Sequence, residues 1–342
     1  MAATPMPYAN GSGHSTGLVC LTKALKPEKH VEAKAIDIVA VHGLSSEPGV
    51  NIWQAADGTV WLRDLIPKDI KAARVFTFDY DARSLFSGQQ NSLESTAAIL
   101  LSEVTAARQD VPPTRPLVII CHGLGGLLVE SAINYALTSP SPYPTIEAAV
   151  KVVVFLSCPQ RPSEIPWPDI LMRCAVDAVN TGRPLSEATY RGVLDWLNQH
   201  AQTLESVPKD FKKSASRMKI KVFSCYEQVP TPSQPQWSLD EYTGALGTKT
   251  EKTQMMGGCD HHSLATFSSK DDENYKFIIS AIKKARKAAT KASDPAPPMV
   301  SEAPREVQGA RPEPVTFAPN RTTLSNADAT IPSRCIYKLD TF

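Results

Sequence analysis

A glycine-rich turn between an apolar run and a helical pattern is the part of the sequence that points most directly to chemistry. The turn spans Cys121–Gly126 (CHGLGG) and follows the apolar run Leu117–Cys121. Turns of this kind either bind the pyrophosphate of a dinucleotide or raise a catalytic nucleophile above a sheet. The dinucleotide fingerprint requires a small residue where Leu128 stands and an acid where Ser157 stands. The nucleophile elbow G-x-S-x-G is therefore the better interpretation, beside a purely structural one in which the glycines only permit close packing.

Gly123 occupies the nucleophile position of this elbow. The elbow residue has a strained backbone conformation that glycine adopts without steric cost. Glycine therefore preserves the turn and removes the hydroxyl, and we predict a positive φ at Gly123. Cys121 lies in the strand two residues earlier, while Cys158 and Cys259 lie in other loops. We therefore do not expect a cysteine to replace the missing serine.

Short apolar runs rich in β-branched residues surround this turn. Continuous runs of this kind are typical of strands that are buried on both faces of a parallel sheet. A helical pattern lies between two of them, and Asn91 and Glu94 have the spacing of a capping box at its start. The alternation of strands and helices predicts an α/β fold with a mostly parallel central sheet flanked by helices. The predicted strands are Ile36–Val41, Val75–Phe78, Leu117–Cys121, Val152–Leu156 and Ile220–Ser224.

The alternation of strands and helices stops between Pro159 and Arg217, where apolar residues recur at helical spacing around Trp196. We interpret residues 160–217 as a helical cap. A last amphipathic helix, with Tyr275 and Ile278 on its apolar face, ends the folded domain, which we place at residues 17–287. We expect residues 1–16 to be flexible and residues 288–342, which are rich in Pro and Ala, to be mostly disordered.

Charge is balanced along the chain, with 36 Lys and Arg against 35 Asp and Glu. This balance predicts neither a nucleic-acid partner nor attraction to an anionic membrane. A basic cluster near the end of the last helix is either a binding patch or, as we favour, a set of cations stabilised by the helix dipole. The cluster consists of Lys283, Lys284, Arg286 and Lys287.

Cysteine usage and hydropathy indicate a cytoplasmic protein without an integral membrane segment. The seven cysteines are scattered and never form a C-x-x-C pair, which argues against a disulfide framework and against a zinc site. No apolar run approaches the roughly 18 residues that a membrane helix requires. We predict no metal and no cofactor.

Further segments follow one another in a characteristic order and spacing. They are Ile38–Leu44, Trp53, Trp61–Pro67, Arg74–Asp81, His122–Gly126, Cys225–Glu227, Asp260–His261 and Phe267–Tyr275. As a set they resemble the lipase-like serine esterases related to the α/β-hydrolase domains at the N-termini of fungal NACHT/NLR proteins. The resemblance covers roughly residues 17–287 and implies the α/β-hydrolase fold.

The resemblance also implies a catalytic base and its acid. His261 directly follows Asp260 and precedes Phe267 by six residues, and it therefore matches the family's histidine. Glu227 matches the acid that orients this histidine. The competing candidates are His262 for the base and Asp240 for the acid. A loop with one packed histidine and no chemistry is the remaining interpretation of this segment.

Backbone groups match the oxyanion hole of the same family. The N–H groups of Gly43 and Leu44 form one half of it, and the N–H of Leu124 forms the other. Two departures bear on activity. Gly123 replaces the family's serine, and Ser157–Pro162 replaces its Gly-Thr-Pro-His-x-Gly segment.

Three functions are compatible with these residues. The first is a pseudoenzyme that binds a small-molecule or acyl/ester-type ligand, or a protein partner, in the former substrate cleft. The second is a lyase, cyclase or isomerase in which His261 and Glu227 perform acid-base chemistry at the oxyanion hole. The third is a serine hydrolase in which the glycine at position 123 was introduced by engineering.

Overall fold

In the computed structural model of the protein, a seven-stranded sheet lies between two layers of helices. The strand order is β1-β3-β2-β4-β5-β6-β7, in which β1 runs antiparallel to β3 and every other neighbouring pair is parallel. Every residue of β2 and β4 is buried, as their continuous apolar sequences predict. The strands are β1 (Gly17–Cys20), β2 (Ile36–Val41), β3 (Ala73–Asp79), β4 (Leu117–His122), β5 (Val150–Leu156), β6 (Lys221–Glu227) and β7 (Lys252–Met256).

The structure describes only part of the chain. The described residues are 17–22, 35–44, 52–85, 93–138, 143–179, 186–232 and 234–292. Residues 1–16, predicted to be flexible, and the tail from Ser293 onward lie outside these ranges, as does the capping residue Asn91. Residues 288–292, which were predicted as part of the disordered tail, instead continue the last helix, which ends at Ala292.

Helices cover both faces of the sheet. The first face carries α3 to α9, and the second face carries α1, α2 and α11. The helices are α1 (Trp61–Asp64), α2 (Ile66–Asp69), α3 (Ala82–Leu85), α4 (Leu93–Ala107), α5 (Gly125–Thr138), α6 (Pro144–Ala149), α7 (Trp167–Val179), α8 (Glu187–Gln199), α9 (Ala201–Met218), α10 (Glu241–Gly244) and α11 (Glu273–Ala292).

This topology is that of the α/β-hydrolase fold, as the sequence predicts. The crossover helices α4 and α5 precede and follow the central strand β4, and β4 turns directly into α5. Among the described residues, no helix combines the length and apolar character that crossing a membrane requires.

The segment predicted as a cap is helical, and one of its helices covers the sheet. Helix α9 packs beside α5, where the side chain of Asn134 donates a hydrogen bond to the Val207 carbonyl over 3.0 Å. The hydroxyl of Ser214 donates to Asn134 over 2.8 Å. Since α9 connects β5 to β6 and buries Phe211 against the sheet, it is a crossover helix of the hydrolase domain.

Candidate active site

The turn after β4 has the geometry of a nucleophile elbow. Gly123 has φ of +54° and lies between the last residue of β4 and the first turn of α5. Its N–H donates a hydrogen bond to the Leu156 carbonyl at the end of β5 over 3.0 Å. The positive φ predicted for Gly123 is confirmed.

Neighbouring glycines allow two backbone segments to touch at this elbow. A Cβ atom on Gly125 would lie 2.4 Å from the carbonyl oxygen of His42, and one on Gly43 would lie 2.7 Å from the carbonyl oxygen of His122. The same position on Gly43 is 2.9 Å from the amide nitrogen of Leu124. The structure therefore brings two of the predicted oxyanion residues, Gly43 and Leu124, side by side. Leu44 follows Gly43 and is buried.

His261 and Glu227 meet Gly123 at the carboxyl end of the sheet. The imidazole Nδ1 of His261 donates to Glu227 Oε1 over 2.8 Å, and both side chains are fully buried. Glu227 Oε2 accepts a hydrogen bond from the Leu239 amide over 3.1 Å. Because Nδ1 is directed to the carboxylate, Nε2 is directed to Gly123 and lies 3.1 Å from the position that a Cβ there would occupy. The predicted convergence of Gly123, Glu227 and His261 is confirmed.

The competing candidates have other contacts. Asp240 caps α10, accepting hydrogen bonds from the amide and the hydroxyl of Thr243 at 2.8 and 2.7 Å. The ring of His262 is 5.9 Å from that of His261 and stands edge-on to it. Asp260 accepts hydrogen bonds from the His262 and Ser263 amides and thereby shapes the loop. His261 is thus the histidine that meets Gly123.

Cysteine is not positioned to replace the serine. The thiols of Cys121 and Cys158 lie 4.0 Å apart in the core. Burial raises the pKa of Cys121 well above its usual value, so its nucleophilic thiolate form is disfavoured at neutral pH. Cys259 lies beyond β7, where its carbonyl accepts hydrogen bonds from the Gln228 and Val229 amides.

Ser157 completes the site, although no functional role for it is predicted from the sequence. It follows β5, has φ of +47° and is fully buried. Its hydroxyl donates to Glu227 Oε1 and lies 3.0 Å from His261 Nδ1. The sequence does contain one clue to a role for Ser157, which is its position directly after a buried strand. Functional groups gather at the carboxyl ends of such strands.

His122 is a second residue that the sequence analysis did not assign. Its Nε2 donates to the carbonyl oxygen of His261 over 2.7 Å, and the two rings are 4.6 Å apart. Burial, followed by the nearby His261, holds the pKa of His122 well below its usual value. His122 is therefore neutral near pH 7 and fixes the backbone of the residue that carries the base.

His42 and Tyr80 fix the loop that precedes the elbow. Nδ1 of His42 donates to the Gly43 carbonyl over 2.7 Å, and Nε2 accepts from the Tyr80 amide over 3.4 Å. The Tyr80 hydroxyl donates to the His42 carbonyl over 2.7 Å. Burial lowers the pKa of His42, which favours the neutral ring that this pattern requires. The backbone at Gly43 is therefore constrained from both sides.

Comparisons with known proteins do not assign the chain to a family. No family model matches the chain. Human protein SERAC1 is 24% identical over 216 residues, which cover 57% of this chain and 30% of SERAC1. The chain therefore spans less than a third of that relative's length.

The solved structures that are similar include hydrolase-fold esterases and thioesterases. One comes from work on carboxylesterases of Nitrososphaera gargenis, with a TM-score of 0.44 and 13% identity over 82% of this chain and 100% of that one. A lipase-esterase related protein of Clostridium acetobutylicum has a TM-score of 0.39 and 14% identity over 78% of this chain and 98% of that one. The NocB thioesterase domain has a TM-score of 0.39 and 12% identity, covering 79% of this chain and 98% of that one.

Proposed function

We propose that the protein is a hydrolase-fold pseudoenzyme of the lipase-like serine esterase type, which binds an acyl-type ligand in its former substrate cleft. The observation that carries this proposal is Gly123 at the apex of the elbow, with φ of +54° and no side chain that could act as a nucleophile. Loss of the serine in a serine hydrolase typically reduces turnover by about a million-fold.

The position of His261 leaves little room for a side chain at residue 123. Its Nε2 is 3.1 Å and its Cε1 is 3.4 Å from the position of a Cβ on residue 123. A serine there would be in tighter contact with the imidazole than side chains usually make, and the ring would have to retreat by a few tenths of an ångström. The imidazole thus occupies part of the space that a nucleophile would need.

The ligand class follows from main-chain groups that do not depend on the serine. The Gly43 and Leu124 segments adjoin at the elbow, and their N–H groups suit an oxygen that carries negative charge. The ring of His261 adjoins the same turn, with Nε2 directed at residue 123. An acyl carbonyl or a carboxylate satisfies the main-chain N–H groups, whereas a cationic or purely apolar ligand does not.

A second candidate is favoured by the intact dyad. Glu227 and His261 are fully buried and hydrogen-bonded to each other, and this pair can move a proton without a nucleophile. A lyase or isomerase would use Nε2 as the base and the oxyanion loop to stabilise an enolate. Exchange of deuterium into the α-carbon of a bound thioester by the wild type, abolished by His261→Gln, would favour this candidate.

The main test restores the nucleophile. Wild type, Gly123→Ser and Gly123→Ser/His261→Ala are compared on short activated esters. We expect trace hydrolysis by the wild type, a clear gain in Gly123→Ser and loss of that gain in the double variant, because serine is a weak nucleophile without its base. Rapid hydrolysis by the wild type that survives His261→Ala would refute the proposal.

A further inference from the structure

The hydroxyl of Ser157 joins the acid and the base at the atoms where they meet. It donates to Glu227 Oε1, the same oxygen that accepts the Nδ1–H of His261. The hydroxyl oxygen is 3.0 Å from Nδ1, and the carboxylate oxygen is 2.8 Å from it. The Nδ1–H is therefore shared between two oxygens, and the three side chains form a closed triangle of contacts.

The backbone conformation at Ser157 favours glycine. The presence of serine is therefore explained by its hydroxyl and not by the requirements of the turn. With φ of +47° the residue is in the left-handed region, which glycine enters freely and residues with a Cβ enter only with strain. Its amide continues the sheet by donating to the Cys225 carbonyl over 2.8 Å. A glycine would make the same turn and the same backbone hydrogen bond without strain.

The side of the imidazole that Ser157 contacts distinguishes its role from that of a nucleophile. A nucleophile must face Nε2 and the oxyanion loop, where Gly123 lies. The hydroxyl of Ser157 contacts Nδ1 instead, and the residue is fully buried.

We propose that Ser157 is a positioning residue, which fixes the Nδ1–H tautomer and the ring plane of His261 through the shared oxygen of Glu227. The hydroxyl supplies a donor to the buried carboxylate and a second acceptor to Nδ1–H. The imidazole is thereby held with Nε2 directed at residue 123. This inference rests on the site described under the proposed function, but it holds whether or not that site hydrolyses esters.

The test uses ¹⁵N-histidine NMR on the full chain, with His261 assigned from the signals that disappear in His261→Gln. In the wild type we expect the Nδ1–H tautomer and a resolved, slowly exchanging Nδ1 proton. Ser157→Ala and Ser157→Gly both remove the hydroxyl, but only the glycine variant also removes the backbone strain. We expect both to lose the slowly exchanging proton, while Ser157→Gly unfolds at a higher urea concentration than Ser157→Ala.

Ser224→Ala is the matched control. Ser224 is a buried serine on β6 that donates to Glu251 over 2.6 Å, so its replacement removes another serine–glutamate hydrogen bond, between β6 and the residue before β7. This variant should keep the His261 signals of the wild type. In the Gly123→Ser background, Ser157→Ala should lower kcat with little change in KM.

Two outcomes would overturn the positioning role. If both Ser157 variants keep the tautomer and the proton exchange of the wild type, the hydroxyl has only a structural role. If a fluorophosphonate attaches covalently to Ser157, the residue is a nucleophile. Ester hydrolysis by the wild type would refute the proposed pseudoenzyme and would leave the NMR expectation unchanged, so the two failures are distinguishable.

Discussion

Two neighbouring turns of the candidate site have a left-handed backbone, at Gly123 with φ of +54° and at Ser157 with φ of +47°. The esterase pattern that the sequence resembles would place serine at the first turn and glycine at the second. In this chain the strain of a left-handed residue with a Cβ therefore lies beside the acid and the base, and not at the apex.

Adding a Cβ atom at Gly123 should test how firmly the imidazole of His261 is held in position. Gly123→Ala should destabilise the protein by more than about 1 to 3 kcal/mol, the range for a left-handed non-glycine residue, because its Cβ would also meet Nε2 at 3.1 Å. Gly258→Ala is the control, since Gly258 has φ of +71° and no atoms within 4 Å of its Cβ position. Urea unfolding measures the stability of both variants. Equal losses of stability would mean that the imidazole of His261 moves aside at no cost.

At the scale of elements, the contact between β2 and the start of α5 holds the elbow in place. A Cβ on Gly125 would lie 2.4 Å from the carbonyl oxygen and 2.7 Å from the carbonyl carbon of His42. These are main-chain atoms, held in turn by the hydroxyl of Tyr80. The packing of strand against helix therefore has no side chain that could rotate away.

Gly125→Ala should consequently cost about 3 kcal/mol or more in unfolding free energy, the upper end for overpacking. The control is Gly192→Ala, on the exposed face of α8 with no atoms within 4 Å of its Cβ position. That change should stabilise the protein by up to about 1 kcal/mol, because alanine is the better helix former. Chemical denaturation measures the change in unfolding free energy of both variants, and we expect opposite signs. Similar changes in the two variants would contradict the close contact at Gly125.

The sequence predicts the buried elements well and the exposed edges poorly. Strands β2 to β6 were identified from continuous apolar runs because parallel strands are covered on both faces. The edge strands β1 and β7 were missed, since β7 (KTQMM) is exposed over most of its length and carries no such run. The sequence pattern shows that α9 has an apolar face, but it does not show that this face packs against the sheet.

The same limit applies to the candidate site. Gly123 is predicted from the glycine-rich turn, whereas His261 and Glu227 are predicted from the resemblance to the esterase pattern. Ser157 and His122 act through contacts that arise only when β4, β5 and the His261 loop are brought together. Their roles depend on backbone direction at the strand ends, which composition and spacing do not encode.

At the scale of the whole molecule, the two ends of the sheet serve different purposes. The carboxyl end gathers the candidate site, whereas the opposite end contains a buried carboxylate bound by arginines. Asp37 at the start of β2 accepts hydrogen bonds from Arg74 over 2.7 and 2.8 Å and also from Arg108, and it lies 3.5 Å from Arg115. These groups connect β2 and β3 to the residue that follows α4 and to the segment before β4. Loss of one partner would leave a buried charge unpaired, so this end has a structural role.

Glu130 should make global stability depend on pH. Burial raises the pKa of this fully buried side chain on α5 well above its usual value, so the folded protein keeps its proton when the unfolded chain loses it. Stability is therefore full below the unfolded pKa near 4.5 and falls as pH rises toward the folded pKa, by at most about 1.4 kcal/mol per pH unit.

Glu130→Gln should remove this contribution, so the variant gains stability relative to the wild type as pH increases from 5 to 8. Urea unfolding across this range measures the difference. Glu94→Gln makes the same change at an exposed position of α4 and should show no such trend. A constant difference between Glu130→Gln and the wild type would mean that Glu130 is ionised in the folded protein.

The backbone at Gly123 also has an evolutionary consequence. A mutation that introduces serine at this position would place a Cβ at φ of +54° and 3.1 Å from His261, so it would lower stability before any gain in turnover could be selected. Selection for a folded protein alone therefore favours glycine here. A serine at this position would persist only where turnover is selected as well.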